Sequence, residues 1–489
     1  MRRNFYNPDL NMTKNRIFLP VIFIIILFIN CATNPITGKR QFMLISEGEE
    51  LKIGANYSPQ VTYEYGGSFK DDELNKYINE VGNKLAVTSH RPELDYHFTV
   101  INSSIINAFA VPGGYIYITR GMLDAVHNEA ELAGVLGHEI GHITARHSAA
   151  QMSKAMGFQY LLMAGLTIDQ MYHKSRKAEQ IRNVIALGSS VIFQMVSLGY
   201  GRENEFQADH LGVEYMRNTR YNPEGMIGVM EIIEKLHDEE PGKLEMLFSS
   251  HPKTSERISR IEELSTHFKN STESANNKEN FYKDRFSKKI ANLKHAQLAY
   301  NHYDKAKKSF SEKDVVSSVL ELNEALIIRD DQAPFYKLMG DIYFEDKQYE
   351  KAKKEYQKSI QCDTSYVYAY YDIGKCERAL NNFGNAEKYY KKAIDLYPYH
   401  HNAHLELGYT YYNFGKWQKA AEYLEKSMLF NDKVSDSHAV LGLTYEKLGR
   451  YNKAEIEFKK EVALGAKGEY LNISKEKVKY YSKLNSSKR

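Results

Sequence analysis

The sequence predicts an α+β chain in two parts: a mainly helical N-terminal domain with a small sheet, then an all-α solenoid of helical repeats. Three observations predict this. Strand-like runs at Tyr96–Ile101 and Ala108–Thr119 sit among helical patterns between about Phe42 and Leu264. Farther on, Gly340, Gly374, Gly408 and Gly442 are spaced by 34 residues, as are Ala352, Ala386, Ala420 and Ala454. Between the two parts, Thr266–Glu279 is rich in Asn, Ser and Lys and has no apolar periodicity, which marks a boundary.

The bulk numbers agree. A chain of 489 residues exceeds one ordinary core, and 26% charged with 43% hydrophobic residues is globular composition. The 65 basic and 62 acidic residues leave a net charge of +3, so no nucleic-acid partner is expected on electrostatic grounds. Three cysteines are too few for a disulfide framework. Cys362 and Cys376 can pair in an oxidising compartment, but each also suits a small buried position in a helical repeat.

Residues 1–30 read as a processing segment. Arg2, Arg3, Lys14 and Arg16 form a positive region, and Ile17–Ile29 is apolar; at about 13 residues it falls short of the roughly 20 needed to span a membrane. The run ends in Leu27-Phe28-Ile29-Asn30-Cys31, which resembles a bacterial lipoprotein signal with Cys31 as the acylated residue. Asn30 departs from the small residue usual before that cysteine, and an ordinary cleaved signal or a retained anchor are the alternatives. Residues 31–265 form the first domain, which includes a helix pattern at Asp72–Leu85, and 266–290 the linker. Val184–Leu198 is apolar but broken by Ser189, Ser190 and Gln194, the pattern of a buried or lid-forming helix rather than a span.

The repeat region, 291–489, resembles the tetratricopeptide repeat: small residues at two fixed helix-crossing points keep phase over four units, 333–468, and aromatics recur between them at Tyr349, Phe383, Trp417 and Tyr451. Residues 299–332 fit the phase poorly, with Ala306 and Ser318 at the two key positions, and read as a degenerate first repeat. Glu469–Leu484 reads as a closing helix. Most of the tyrosines are read as packing residues, with Tyr370, Tyr371, Tyr411 and Tyr412 as candidate lining for a concave peptide groove.

The chemistry lies in Asn128–His147, where Leu132, Val135, Leu136, Ile140 and Ile143 recur at helical spacing. His138 and His142 are four apart, so both imidazoles leave one side of that helix and can share a tetrahedral ion. Glu139 is placed to act on water at the metal without binding it, which makes His138-Glu139-Ile140-Gly141-His142 a zinc-peptidase motif. One Zn2+ per chain is expected. A third ligand is required, and Glu205 supplies it with Asp209, four residues on, accepting a hydrogen bond from a ligand imidazole. Glu203 is the competing ligand, disfavoured by its phase relative to Asp209. His147, five residues after His142, points off the ligand face and is read as structural.

These motifs resemble those of the HtpX/CAAX-prenyl-protease type of zinc metallopeptidase over roughly Asn34–Leu264. The resemblance rests on Asn34-Pro35-Ile36-Thr37-Gly38-Lys39, Asn107–Gly114, Asn128–His147, Glu205–Gly212, and Ser250-His251-Pro252-Lys253-Thr254 followed by Arg257. With the repeats attached, the whole is similar to the BepA-like periplasmic peptidases of Gram-negative bacteria; the lipoprotein signal is the departure. The resemblance implies a zincin-type fold and places Asn107 and His251 beside the zinc. Asn107 then hydrogen-bonds a substrate backbone lying along Ala108–Val111. His251 either stabilises the oxyanion or fills the open zinc position in a resting enzyme. The expected activity is hydrolysis of peptide bonds in misfolded or misassembled envelope proteins, in quality control or assembly of outer-membrane proteins, with the repeats recruiting clients or assembly machinery. The expected place is the periplasm, lipid-anchored to the outer membrane. The alternative is a lipoprotein scaffold or chaperone in which proteolysis is secondary or gated.

Overall fold

The computed structural model describes residues 31–157, 199–239, 244, 246, 247, 249, 251, 255–269, 281–431, 433, 434, 436–465 and 468–486. The processing segment 1–30 and the apolar run Val184–Leu198 lie outside the described residues. Two compact units are present, 1–294 and 295–489. No helix among the described residues is long and apolar enough to cross a membrane.

The N-terminal unit starts with a two-stranded ribbon, β1 (Cys31–Thr33) against β2 (Arg40–Phe42), with Cys31 opposite Phe42. Its turn is an Asx turn: Asn34 Oδ1 accepts from Ile36 N and Thr37 N. Helix α1 (Glu47–Glu64) begins with a capping box in which Ser46 and Glu49 satisfy each other's backbone donors. Helix α2 (Asp72–Ala86) is capped by the Asp71 carboxylate on Leu74 N and buries Leu74, Tyr77, Ile78, Val81 and Leu85, the apolar face that its sequence spacing sets out.

The sheet has the order β3 (His97–Ile101), β5 (Tyr115–Thr119), β4 (Ala108–Val111). Strand β5 is central, parallel to β3 and antiparallel to β4, with Ala108 opposite Ile118 and Val111 opposite Tyr115. The β4–β5 turn uses Gly113 and Gly114 at φ +85 and +96. A Cβ on Gly114 would also sit 2.3 Å from Asp95 O, so both conformation and space require glycine there. Val61, Ile101, Phe109, Val111 and Tyr117 form the core between α1 and the sheet. Short α3 (Arg120–Ala125) leads into α4 (Glu129–Thr144), followed by α5 (Arg202–Asn218), α6 (Glu224–Glu239) and α7 (Ser255–Lys269).

Residues 281–290, read from sequence as the end of the linker, carry a short helix, α8 (Lys283–Lys289), packed on the N-terminal unit. Phe281 O accepts from Glu129 N and Ala130 N at the start of α4. The Glu129 carboxylate is fully buried, takes hydrogen bonds from Tyr77 and Tyr221 hydroxyls at 2.8 Å, and pairs with Arg285 at 3.0 Å. Composition did not reveal this docking, because it depends on partners up to 216 positions away in the chain, as in Lys289 with Glu73.

In the C-terminal unit, paired helices run Val315–Ile328 after Ala291–Ser311, then Ala333–Glu345 with Tyr349–Cys362, Val367–Ala379 with Phe383–Leu396, His401–Asn413 with Trp417–Phe430, and Ser437–Lys447 with Tyr451–Leu464, before a closing helix at Leu471–Ser486. Each repeat glycine receives a side chain from the second helix of its own pair: Tyr356 on Gly340, Tyr390 on Gly374, Leu424 on Gly408, Phe458 on Gly442. The turn inside each pair holds a left-handed residue at Lys313, Lys347, Asn381, Gly415 and Gly449, spaced by 34 throughout. That spacing carries the period back into residues 299–332, where Ala306 and Ser318 are fully buried and the Ser318 hydroxyl donates to Ala306 O. Tyr411 is a packing residue whose hydroxyl donates to Glu387. Cys362 and Cys376 are free thiols.

Candidate active site

Helix α4 is started by Asn128, whose Oδ1 accepts from Glu131 N while its Nδ2 donates to the Glu131 carboxylate. Every residue of the helix is buried, and its glycines let α5 cross closely: a Cβ on Gly137 would lie 3.3 Å from Gly212 Cα, and one on Gly141 2.9 Å from Ala208 O. The close crossing brings Glu205 and Asp209, one turn apart on α5, to His138 and His142, one turn apart on α4. Glu203 is exposed on α5.

Four donors converge. His138 Nε2 lies 3.0 Å from His142 Nε2 and 3.2 Å from His251 Nδ1. Glu205 places Oε2 3.6 Å from His138 Nε2, and Oε1 3.5 Å from His142 Nε2 and 3.1 Å from His251 Nδ1. All four residues are buried, and they are the metal-competent cluster among the described residues. A tetrahedral zinc with bonds of about 2.0–2.1 Å separates neighbouring donors by roughly 3.3–3.4 Å, so the set fits zinc with His251 as the fourth donor.

The backs of the two imidazoles are held differently. His138 Nδ1 is 2.9 Å from Asp209 Oδ1, which puts its proton on Nδ1 and leaves Nε2 bare for metal. Asp209 is clamped by Arg257 at 2.7 Å through both Nε and Nη2, and Arg257 Nη1 reaches Glu205 Oε2 at 2.7 Å. Burial alone would push both carboxyls up. For Asp209, Arg257 and His138 outweigh it, and for Glu205, His251 and His142 do, so both are held below the usual range.

His142 leans on His147, with Nδ1 to Nδ1 at 2.8 Å, and His147 Nε2 lies 3.0 Å from Gln207 Oε1. Gln207 Oε1 can only accept, so His147 carries its proton on Nε2, accepts from His142 on Nδ1, and leaves His142 Nε2 free for metal. Burial holds the pKa of His147 down to about 4, which keeps it neutral for this relay. The reading of His147 as structural misses this contact. Helix α4 ends at Thr144, Arg146 turns left-handed at φ +57, and the chain folds His147 back behind His142. Arg146 is fixed in that conformation by Glu50 Oε2 at 2.9 Å and by Ile45 O at 2.9 Å. Tyr200 stacks on the His142 ring at 3.9 Å between centroids, its hydroxyl bonded to Ser148. Sequence spacing gave no signal for Tyr200 or Gln207. For Arg257 the only signal was its place after the His-Pro element. We expect His147→Ala to weaken zinc binding by about 10–100-fold while the fold is retained, measured by competition with a chromophoric chelator; unchanged affinity would remove the relay.

Three buried atoms around the donors have no hydrogen-bond partner: Glu139 Oε2, His251 Nε2 and Asn107 Oδ1. Glu139 Oε1 is 3.6 Å from His251 Nε2, and burial raises the Glu139 carboxyl against the pull of His251 and His138. Asn107 is locked at the end of β4, its carbonyl accepting from both Thr119 N and Thr119 Oγ1. Its neighbour Ala108 lines the same cleft as His138, Glu139 and His251. Among the described residues no strand pairs with the outer edge of β4.

Residues 72–265 match the profile of peptidase family M48. Tetratricopeptide repeat profiles match 340–376, 367–432 and 435–462. The chain is 27% identical over 227 residues to a "Beta-barrel assembly-enhancing protease" of Yersinia pestis, covering 46% of each. It is 28% identical over 210 residues to the protein of the same name in Escherichia coli (strain K12), covering 42% of this chain and 41% of the relative. It is 29% identical over 221 residues to "Mitochondrial metalloendopeptidase OMA1" of Arabidopsis thaliana, covering 45% of this chain and 41% of the relative. The matches thus span less than half the length of these relatives.

Proposed function

We propose, from the premise that residues 72–265 are a peptidase family M48 domain followed by tetratricopeptide repeats, that this chain is a zinc-dependent endopeptidase acting on proteins of the bacterial envelope. The observation that carries it is the convergence of His138, His142 and Glu205 with the unpartnered carboxylate oxygen of Glu139 beside them. When bound, zinc supplies Lewis acidity at the scissile carbonyl and eases loss of a proton from water. Glu139 Oε2 takes that proton and returns it to the leaving amine nitrogen. Substrate lies extended along the outer edge of β4, where Asn107 Oδ1 accepts from a substrate N–H.

His251 Nδ1 stands among the metal donors, which supports the resting-state reading over the oxyanion reading. With His251 in the fourth position the site is closed, and a client must displace it before hydrolysis. The name of the bacterial relatives, beta-barrel assembly-enhancing protease, supports clients of the outer-membrane β-barrel class, handed over by the repeats. The signal at 1–30 and Cys31 support export and a lipid anchor on the outer membrane. If the chain is instead a scaffold, binding of such clients persists without cleavage.

The test uses the full chain with one zinc per chain and an unfolded β-barrel protein. Cleavage is expected, lost on chelation and restored by one equivalent of zinc. His251→Ala is expected to raise basal cleavage several-fold by opening the fourth position; a loss of about 10²–10³-fold would assign His251 to the oxyanion instead.

A further inference from the structure

The cleft at Glu139 extends past the catalytic groups into an apolar cavity that is partly open to solvent. Its walls come from Val135 on α4, Met226, Val229, Met230 and Ile233 on α6, and Leu247. Val135, Val229, Ile233 and Leu247 each keep 6–8% of their surface exposed, whereas Leu132, Leu136 and Ile140 on α4 are at 0%. The first group therefore faces the cavity, and the second belongs to the core.

The cavity runs straight from the reacting groups, since His138, Glu139 and Ala108 line it too. Gly134 also lines it, and the backbones of α4 and α6 meet there: a Cβ on Gly134 would lie 3.0 Å from Met226 Cα. The charges that reach it, Asp209 and Arg257, are committed to each other and to His138 and Glu205. A charged side chain entering here loses its water and meets no uncommitted counter-charge except the catalytic carboxylate.

We infer that this cavity is the specificity pocket of the site. It takes a large apolar side chain, Leu, Met or Phe, from the residue beside the scissile bond. The inference rests on the peptidase reading and deepens it by naming the substrate class: extended segments in which large apolar residues, normally buried in a folded protein, are exposed. A strand laid along β4 points alternate side chains to one face, so the pocket reads one residue while its immediate neighbours point away. The two methionines give the wall the adaptability to accept both aliphatic and aromatic shapes. Burying about three more carbons for Leu than for Ala corresponds to roughly a 10- to 100-fold preference in kcat/KM.

The experiment has two arms. In the first, the zinc-loaded full chain digests a reduced, carboxymethylated protein and mass spectrometry maps the cleavage sites. Leu, Met and Phe are expected at one position flanking the cut. Val229→Phe should shift that position toward Ala and Gly, and Met230→Ala toward Phe. In the second, zinc-loaded Glu139→Gln is titrated with two fluorescent peptides differing only in Leu or Ala at that position, and the Leu peptide is expected to bind about 10-fold or more tighter. Cleavage with no apolar preference, or an unaltered profile in both variants, overturns the pocket and leaves the peptidase reading standing. No cleavage by the wild type, with the Leu peptide still bound more tightly, overturns the peptidase reading and leaves the pocket. Equal binding of the two peptides overturns the pocket in either case.

Discussion

Glu139→Gln is expected to lower kcat/KM for peptide hydrolysis by about 10³–10⁴-fold while one zinc per chain stays bound. Glu139 is not among the four converging donors, so its removal leaves the metal's ligands in place. The amide keeps the shape and burial of the side chain but cannot take a proton at the position of Oε2. The change therefore isolates proton transfer from packing, because thermal stability and metal content should match the wild type. The group is already 2% exposed and its carboxyl is raised by burial, so removing its charge costs the folded state little. Retained activity at the wild-type level, with zinc confirmed by elemental analysis, would remove Glu139 from the mechanism.

Glu205→Ala is expected to act on the other half of the site. Losing a partner outside the ligands costs about 10–100-fold in metal affinity, so losing a carboxylate ligand should exceed about 100-fold. It also removes the carboxylate that meets Arg257 Nη1, while Asp209 stays on Nε and Nη2. Breaking a buried pair of this kind costs about 3–5 kcal/mol, so the melting temperature should fall together with zinc content. Glu203→Ala, on the exposed face of α5, is expected to change neither. If zinc content in Glu205→Ala equals that of the wild type, the third ligand has been misassigned.

What could be read from the sequence follows the reach of each signal. His138 with His142, and Glu205 with Asp209, are one helical turn apart, so spacing alone shows that each pair shares a face. The 34-residue repeat was legible because helix pairs stack in register, and the small residues at Gly340 and Ala352 recur where backbones must approach. In the structure the period also appears at the left-handed turn residues, where Lys313 and Lys347 hold a conformation that their residue types do not announce. His147 shows where helical phase fails as a guide, because one left-handed residue, Arg146, turns a histidine from the far side of the helix onto the back of a ligand. Tyr200 reaches the site from a segment whose local sequence carries no trace of it, and Arg257 is marked only by its place after the His-Pro element, so the assembled fold alone shows what each one touches.

The start of the metal helix depends on residues made long after it. Two of its first free backbone donors are satisfied by Phe281 O, and the carboxylate beneath them by Arg285. During synthesis from the N-terminus, the helix bearing His138 and His142 has all its own residues well before these partners emerge, and some twenty residues beyond the end of the matched peptidase region must still be made. Completion of the helix bearing His138 and His142 therefore waits for residues made well after it. It falls as the first repeat helix, Ala291–Ser311, is about to emerge, so the chain is ordered in time so that the metal helix is fully secured only as the repeats begin to form.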